Sequence, residues 1–524
     1  MESETYITLN RAWKSTCKVL FGEEVGELED FEGYLKEIID ANVYYKSSIS
    51  GKEITFAIKD YDKKAKFISF DEIDFGKKYE PFNINQIKDI DSLLEVVNER
   101  ISYCGDINLG NCHDVEQSSS ISDGFCVYDS AQFFNVKYMA FCTVGRENSY
   151  CFGSHALGGS EFIIRCCQTT WAKRSFESWL ATNTVDSYYC YGLDGCSNCL
   201  FSFNLKNKRN TIGNLELNKD KFESIKKKLL AEIADELRTK KSAPSLLDIV
   251  RKSKSPKPQS IIPAVKKERL NKQIIEREFL TTSRLIFGKE LVGIDNYSKW
   301  LFEHVHKIEE TKSAVSNERI LIVPYGVSLL PLPADKMVTL EEAEQLSNLT
   351  LDQNEAESLT LKNVYGSIGK IAYLKAEMKS GQNRNMIDCT YYMDCSDCYQ
   401  ISMTIEAKYC GCSMWPKTSQ NCFGVDSIMN SSFCFKCYHS TNLTRCFEMD
   451  NCRSCTDSMF CHNSENLTNC MFCFNTKSKR YAIGNVELPK EKYLEIKQRI
   501  LGELIKKLEQ NKKLEISIFN LCTK

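Results

Sequence analysis

The chain has 524 residues, 42% of them hydrophobic and 26% charged, with a mean hydropathy of −0.35, the balance of a globular protein of about two to four domains rather than a disordered chain. Lys and Arg total 68 against 70 Asp and Glu, so a net charge of −2 excludes a whole-surface field for nucleic acid or anionic membranes. The 26 cysteines are too many for a few catalytic thiols and too dispersed for a small disulfide scaffold.

The N-terminus MESETYITLNRAWK lacks a basic region followed by an apolar core, and no window approaches the ~18 apolar residues of a membrane span. A cytoplasmic protein with no membrane partner is expected. Residues 1–105 read as a small α/β head, with helical patterns over 13–39 and strand patterns at 54–58 and 67–70. A cysteine-rich segment (106–210) follows, then a capping helix (211–239). Residues 240–273 carry four prolines and about ten basic against two acidic side chains, the composition of a linker. That linker reads as a solvated tether or as a basic strap, with Lys252, Lys254 and Lys257, for RNA, a ribosome or a protein partner. The series then repeats as a second head (274–382), a second cysteine-rich segment (383–480) and a second capping helix (481–524).

Two markers support a tandem duplication. T-C-K-V-L-F-G-E-E from Thr16 is answered by T-S-R-L-I-F-G-K-E from Thr282, and N-C-L-F-S-F-N from Asn198 by N-C-M-F-C-F-N from Asn469.

Between Cys389 and Cys473 the cysteines 389, 395, 398, 410, 422, 434, 437, 446, 452, 455, 461, 470 and 473 all share one three-residue phase, and only Cys412 departs from it. Every third residue from Met386 to Thr476, and from Leu109 to Leu205, is uncharged. A period of three fits neither a helix nor a flat strand, but it fits a narrow solenoid that turns a corner every few residues. Cys398, Cys410, Cys422, Cys434 and Cys446 fall on a twelve-residue lattice, which is the coil length expected, while the C-x-x-C pairs at Cys434, Cys452 and Cys470 repeat at eighteen, the competing length. The fold class expected is therefore α+β: a duplication in which each copy has an α/β head at one end, a cysteine-lined parallel β-solenoid of about eight coils, and a capping helix at the other end.

Twelve residues per coil with four small inward side chains resembles the tight β-solenoid of beetle antifreeze proteins, and the resemblance implies coil geometry alone, since the outward positions carry no Thr-x-Thr ladder. R-C-F-E-M-D-N-C-R-S-C, F-C-H-N-S-E-N and F-C-F-N-T-K-S-K-R-Y-A-I-G-N are similar to segments of cysteine-rich archaeal proteins of unassigned function, and this likeness implies no activity.

Three roles are open to the thiols. They could fill a tube too narrow for leucine. They could form disulfides across one coil between residues six apart: Cys190 with Cys196, Cys389 with Cys395, Cys446 with Cys452, and Cys455 with Cys461. Or Cys434, Cys437, Cys452 and Cys455 could enclose zinc, the one cofactor this reading allows. The six histidines read as scattered surface residues, with His304 and His306 on an amphipathic helix, and no nucleophile elbow, Walker loop or dinucleotide fingerprint occurs. No catalytic residue is expected. Outward aromatics, among them Tyr150, Trp171 and Trp179, are either covered by the heads or form a docking face. The function expected is a non-catalytic scaffold or structural subunit making protein–protein contacts; an RNA- or ribosome-associated factor and a zinc- or thiol-dependent enzyme are the alternatives.

Overall fold

The computed structural model describes residues 3–254, 270–322 and 332–523. It is a mixed α/β fold with eleven α-helices among the described residues and parallel strands gathered mainly into a 14-stranded and an 11-stranded sheet. One register recurs through both large sheets: residues pair in parallel with those twelve positions on, as Ser149 with Glu161, Met386 with Cys398 and Cys422 with Cys434.

The period of three has a backbone cause. Asp114, Gln117, Ser120 and Asp123, and residues in the same phase through most of both sheets, are left-handed, with φ near 55°. Each such corner costs an L-residue about 1–2 kcal/mol. The cost is offset because the corner N–H stays paired, bonding the carbonyl thirteen residues back, as Phe141 does to Tyr128 and Arg165 to Phe152. The residue after each corner points inward. The interior cluster of the second sheet, which runs from Cys389 to Ala482, consists only of residues in the cysteine phase. Cys412, the exception in the sequence, sits at a left-handed corner (φ 51°) and is buried in an outer cluster instead. The interior is wider than expected, because Phe133, Met139, Leu157 and Ile163 occupy inward positions of the first sheet and Leu443 and Leu467 of the second. Cysteine is not the only side chain that fits there.

In the first sheet seven strands close into a parallel ring: Ala131–Ala140, Thr143–Arg146, His155–Gly158, Cys167–Thr170, Lys173–Thr182, Glu161–Ile164 and Ser149–Phe152, the last pairing with the first. Both large sheets end in an antiparallel hairpin, Arg209–Ile212 with Leu215–Glu216 and Arg480–Ile483 with Val486–Glu487. A 22-residue helix follows each, Lys219–Lys240 and Lys490–Asn511. Their apolar stripes, Phe222, Ile225, Leu229 and Ile233 in one and Tyr493, Ile496, Ile500 and Leu504 in the other, recur at helical spacing and are buried. These helices lie along the side of the strands, since Lys226 reaches Asn198 and Lys497 reaches the Asp457 carbonyl.

The end turns are covered by the other half of the chain. Leu351 N–H donates to the Gly213 carbonyl, and Arg100 donates to the Gly484 carbonyl. Each head is accordingly divided: its helical segment packs on its own strands, and the remainder joins the core of the other half. One outer core joins Leu9–Ile38 and the first sheet to residues between Ile320 and Leu374; the other joins Ile54–Tyr103 to the second sheet and residues as far as Leu521. Each half lends a segment to the other's core. Two glycines let a helical segment of each head approach its own strands: a Cβ on Gly153 would stand 2.8 Å from the Leu35 carbonyl, and one on Gly424 2.9 Å from that of Leu301.

Because each outer core needs both halves, residues 1–254 and 270–524 expressed separately should each fail to give a cooperative thermal transition, whereas co-expressed they should co-purify and melt as one unit. Two independently folded halves that do not associate would contradict this packing.

Candidate functional site

The densest grouping of titratable side chains lies where the first head meets the second sheet. Strand Phe447–Asp450 supplies Asp450, and strand Met459–His462, paired one register step on, places His462 beside it. The Asp450 carboxylate accepts from His462 Nδ1 at 2.8 Å and from the Tyr61 hydroxyl, and His439 Nδ1 stands 3.5 Å away. His462 Nε2 accepts the Cys104 N–H at 2.9 Å, so the neutral ring carries its proton on Nδ1, facing Asp450. His306 pairs with Asp426 and His304 with Asp60, both at 3.2 Å. His304 and His306 lie beyond the helix Ile294–Leu301, not within it. Four of the six histidines therefore converge here, against the expectation of scattered surface residues.

Asp450, His462 and Tyr103 are fully buried and Tyr61 nearly so. Burial alone would raise the Asp450 acid, but hydrogen bonds from His439 and His462 outweigh it and hold the carboxyl well below its ordinary range. Burial opposes charge on His439, yet the Asp450 contact raises its basicity, and Asp426 does the same for His306. Burial lowers His155 to about 4 and lifts the Tyr61 phenol far up, where Asp450 adds to the rise. Two surface hollows, of about 140 and 220 Å³, lie elsewhere, lined by residues such as Ile90, Lys507 and Leu514 in one and Ser298, Arg319 and Asp388 in the other. What the network does on this geometry is tie the Tyr61 and Tyr103 segments to the second sheet through shared protons.

A buried ion pair sits at a matching place in each sheet. Arg165 Nε lies 2.5 Å from Glu177, over the Tyr34 ring and 3.1 Å from Glu37, and Glu177 accepts the Leu246 N–H. Lys436 lies 3.8 Å from Glu448, over the Trp300 ring and 3.0 Å from Glu303, and Glu448 accepts the Ile518 N–H. Burial is the largest influence on both carboxyls and raises each, Glu448 to about 7.

All 26 cysteines are free thiols. The expected disulfide partners are unlinked and hydrogen-bond to backbone instead. Each donates to the carbonyl two residues before it: Cys190, Cys196, Cys389, Cys395, Cys446, Cys452, Cys455 and Cys461, at 3.0–3.5 Å. The expected zinc set is not assembled either. Among the described residues no three His, Cys, Asp or Glu side chains form a metal-holding group. The thiols instead adjoin one another along rows, as Cys422 does Cys410 and Cys434, and between neighbouring rows, as Cys434 does Cys437. Burial pushes Cys422 well up, whereas at Cys434 burial is outweighed by the neighbouring thiols of Cys422 and Cys437, which pull it down.

Of the expected partner-binding residues, Trp179 is corrected: it is fully buried, with its indole N–H on the Arg165 carbonyl. Tyr150 is half-buried and stacks between Tyr138 and Phe162, with centroids 4.7 and 4.8 Å away. Trp171 is 55% exposed. Lys252 lies at a helix end, 5.6 Å from the Tyr365 ring, and Lys254 is exposed, while Lys257 lies outside the described residues. No described helix is long and apolar enough to cross a membrane. Comparison with known proteins gives no match to a family model, a curated protein or a solved structure.

Because burial raises the Glu448 acid from an ordinary 4.5 to about 7, the stability tied to its protonated form is complete below about pH 4.5 and is lost as pH rises through 7. Replacing it by Gln keeps an acceptor for Ile518 and removes that loss. The melting temperature of Glu448→Gln minus that of wild type should rise between pH 5 and pH 8, by the equivalent of about 3 kcal/mol. A difference that falls with pH would mean that Glu448 is needed as the charged partner of Lys436.

Proposed function

We propose that the chain is a non-catalytic scaffold, a structural subunit that makes protein–protein contacts within a larger assembly. Its frame on this reading is a duplication of two twelve-residue β-solenoids, supported by the shared register, the paired hairpins and 22-residue helices, and the matching ion pairs Arg165–Glu177 and Lys436–Glu448. The closed ring fits this frame, because Ala131–Ala140 and Lys173–Thr182 are each long enough to pass a corner and pair on two sides of a coil.

One observation carries the reading. Phe141, Phe152, Tyr188, Tyr189 and Tyr191 of the first sheet and Phe435, Phe447, Phe460, Phe472 and Phe474 of the second are all covered. The ladder Tyr138–Tyr150–Phe162 is only half-buried, and Trp171, on the next outer corner, and Phe134 are exposed, at 55% and 52%. An aromatic face with two exposed rings beside a half-buried ladder is the kind of surface a protein partner buries.

The test is the mass of the assembly purified from its source under native conditions. Wild type should exceed the 60.1 kDa of one chain, and Trp171→Glu with Phe134→Glu should reduce it to a single chain while shifting the melting temperature by no more than a few degrees, since both side chains are exposed. A wild-type protein that purifies alone, or a variant that keeps its partners, would defeat the proposal.

A further inference from the structure

One interior row of the second sheet differs in kind from the rest. Along the twelve-residue register it reads Met386, Cys398, Cys410, Cys422, Cys434 and Cys446. The five cysteines are wholly buried, and Met386 at the N-terminal mouth is half-buried. Cys422 is in side-chain contact with both Cys410 and Cys434. The row at the same place in the first sheet reads Val115, Val127, Met139, Cys151, Ile163 and Ser175. The coil interior thus accepts valine, methionine and isoleucine at these positions, so packing alone does not call for five consecutive thiols.

We infer that this row is a binding site for soft monovalent d10 metal ions, Cu(I) or Ag(I), held two-coordinate between thiolates of successive coils. Two metal–sulfur bonds of about 2.3 Å laid end to end span about 4.6 Å, close to the ~4.8 Å between parallel strands. Each gap along the row offers one thiolate from each of two successive strands, which suits two-coordinate chemistry, and thiolate selects soft ions. The step balances: five S–H groups release five protons to solvent, each internal thiolate bridges two ions, and four ions fill the four gaps. The filled row carries a net charge of −1, a small burden for an interior that five separate thiolates could not share. The Met386 thioether, at the open end of the row, is placed to hand ions inward.

The experiment is anaerobic titration of the reduced full chain with Ag(I), counted by native mass spectrometry. Cys422→Ser should bind two ions fewer than wild type, because that sulfur bridges two gaps, and Cys446→Ser one fewer. Serine suits the site, since Ser458 already stands in this row. Cys151→Ser, in the first sheet, should bind as wild type does, and X-ray absorption of the loaded protein should show two sulfur neighbours per ion. Wild-type stoichiometry in both row variants, uptake confined to the half-buried Cys112 and Cys522, or three or more sulfurs per ion would overturn the inference.

Discussion

Everything in this structure depends on the left-handed corner at every third residue. An L-residue there is strained, and it persists because its N–H bonds the carbonyl thirteen residues back. Corner and register enforce each other: a corner out of phase would lose its hydrogen bond, and a slipped register would send the uncharged phase outward. From this follow an interior closed to charge and outer rows in which the same side-chain position recurs every twelve residues. Stacked repeats then become cheap to build. The rings of Tyr189 and Phe201, and of Phe460 and Phe472, lie parallel one register step apart, and Arg174 with Asp186 and Arg445 with Asp457 pair the same way.

Rows of outward aromatics must be covered, and the interlock of the two halves is how most of them are. The buried pairs Arg165–Glu177 and Lys436–Glu448 sit under that cover. A buried ion pair adds little net stability against an apolar equivalent, but breaking one costs about 3–5 kcal/mol. Their role is better understood as docking specificity, because each carboxylate also takes a backbone N–H, from Leu246 or Ile518, that arrives only when the covering segment is correctly seated. The Tyr61–Asp450–His462 network does the same for the first head against the second sheet.

The interior phase was legible in the sequence because it is local: one residue in three is excluded from charge, and cysteine marks that phase. The twelve-residue lattice was legible too, while the eighteen-residue spacing of the C-x-x-C pairs was a coincidence of two rows sharing one phase. What could not be read was which segment covers which row. Trp179 and Trp171 look equivalent in sequence, yet one is buried and the other exposed because cover comes from residues hundreds of positions away. Part of the histidine cluster was within reach, since Asp450 and His462 are one register step apart. Tyr61, the Cys104 N–H and the loop carrying His304 and His306 were not, because tertiary packing alone brings them in.

If the two sheets descend from one module, they have diverged along matching rows in opposite directions. Where the first has Trp179 and Tyr191, the second has Asp450 and His462; where the first has Val127, Met139 and Ile163, the second has Cys398, Cys410 and Cys434. The first keeps apolar and aromatic side chains and carries a half-buried aromatic ladder on its outer face. The second gathers buried ionisable groups in an outer row and thiols in its interior. A fold whose backbone bonding is indifferent to most side chains permits that division, because changing a row changes its chemistry without altering the register that holds it.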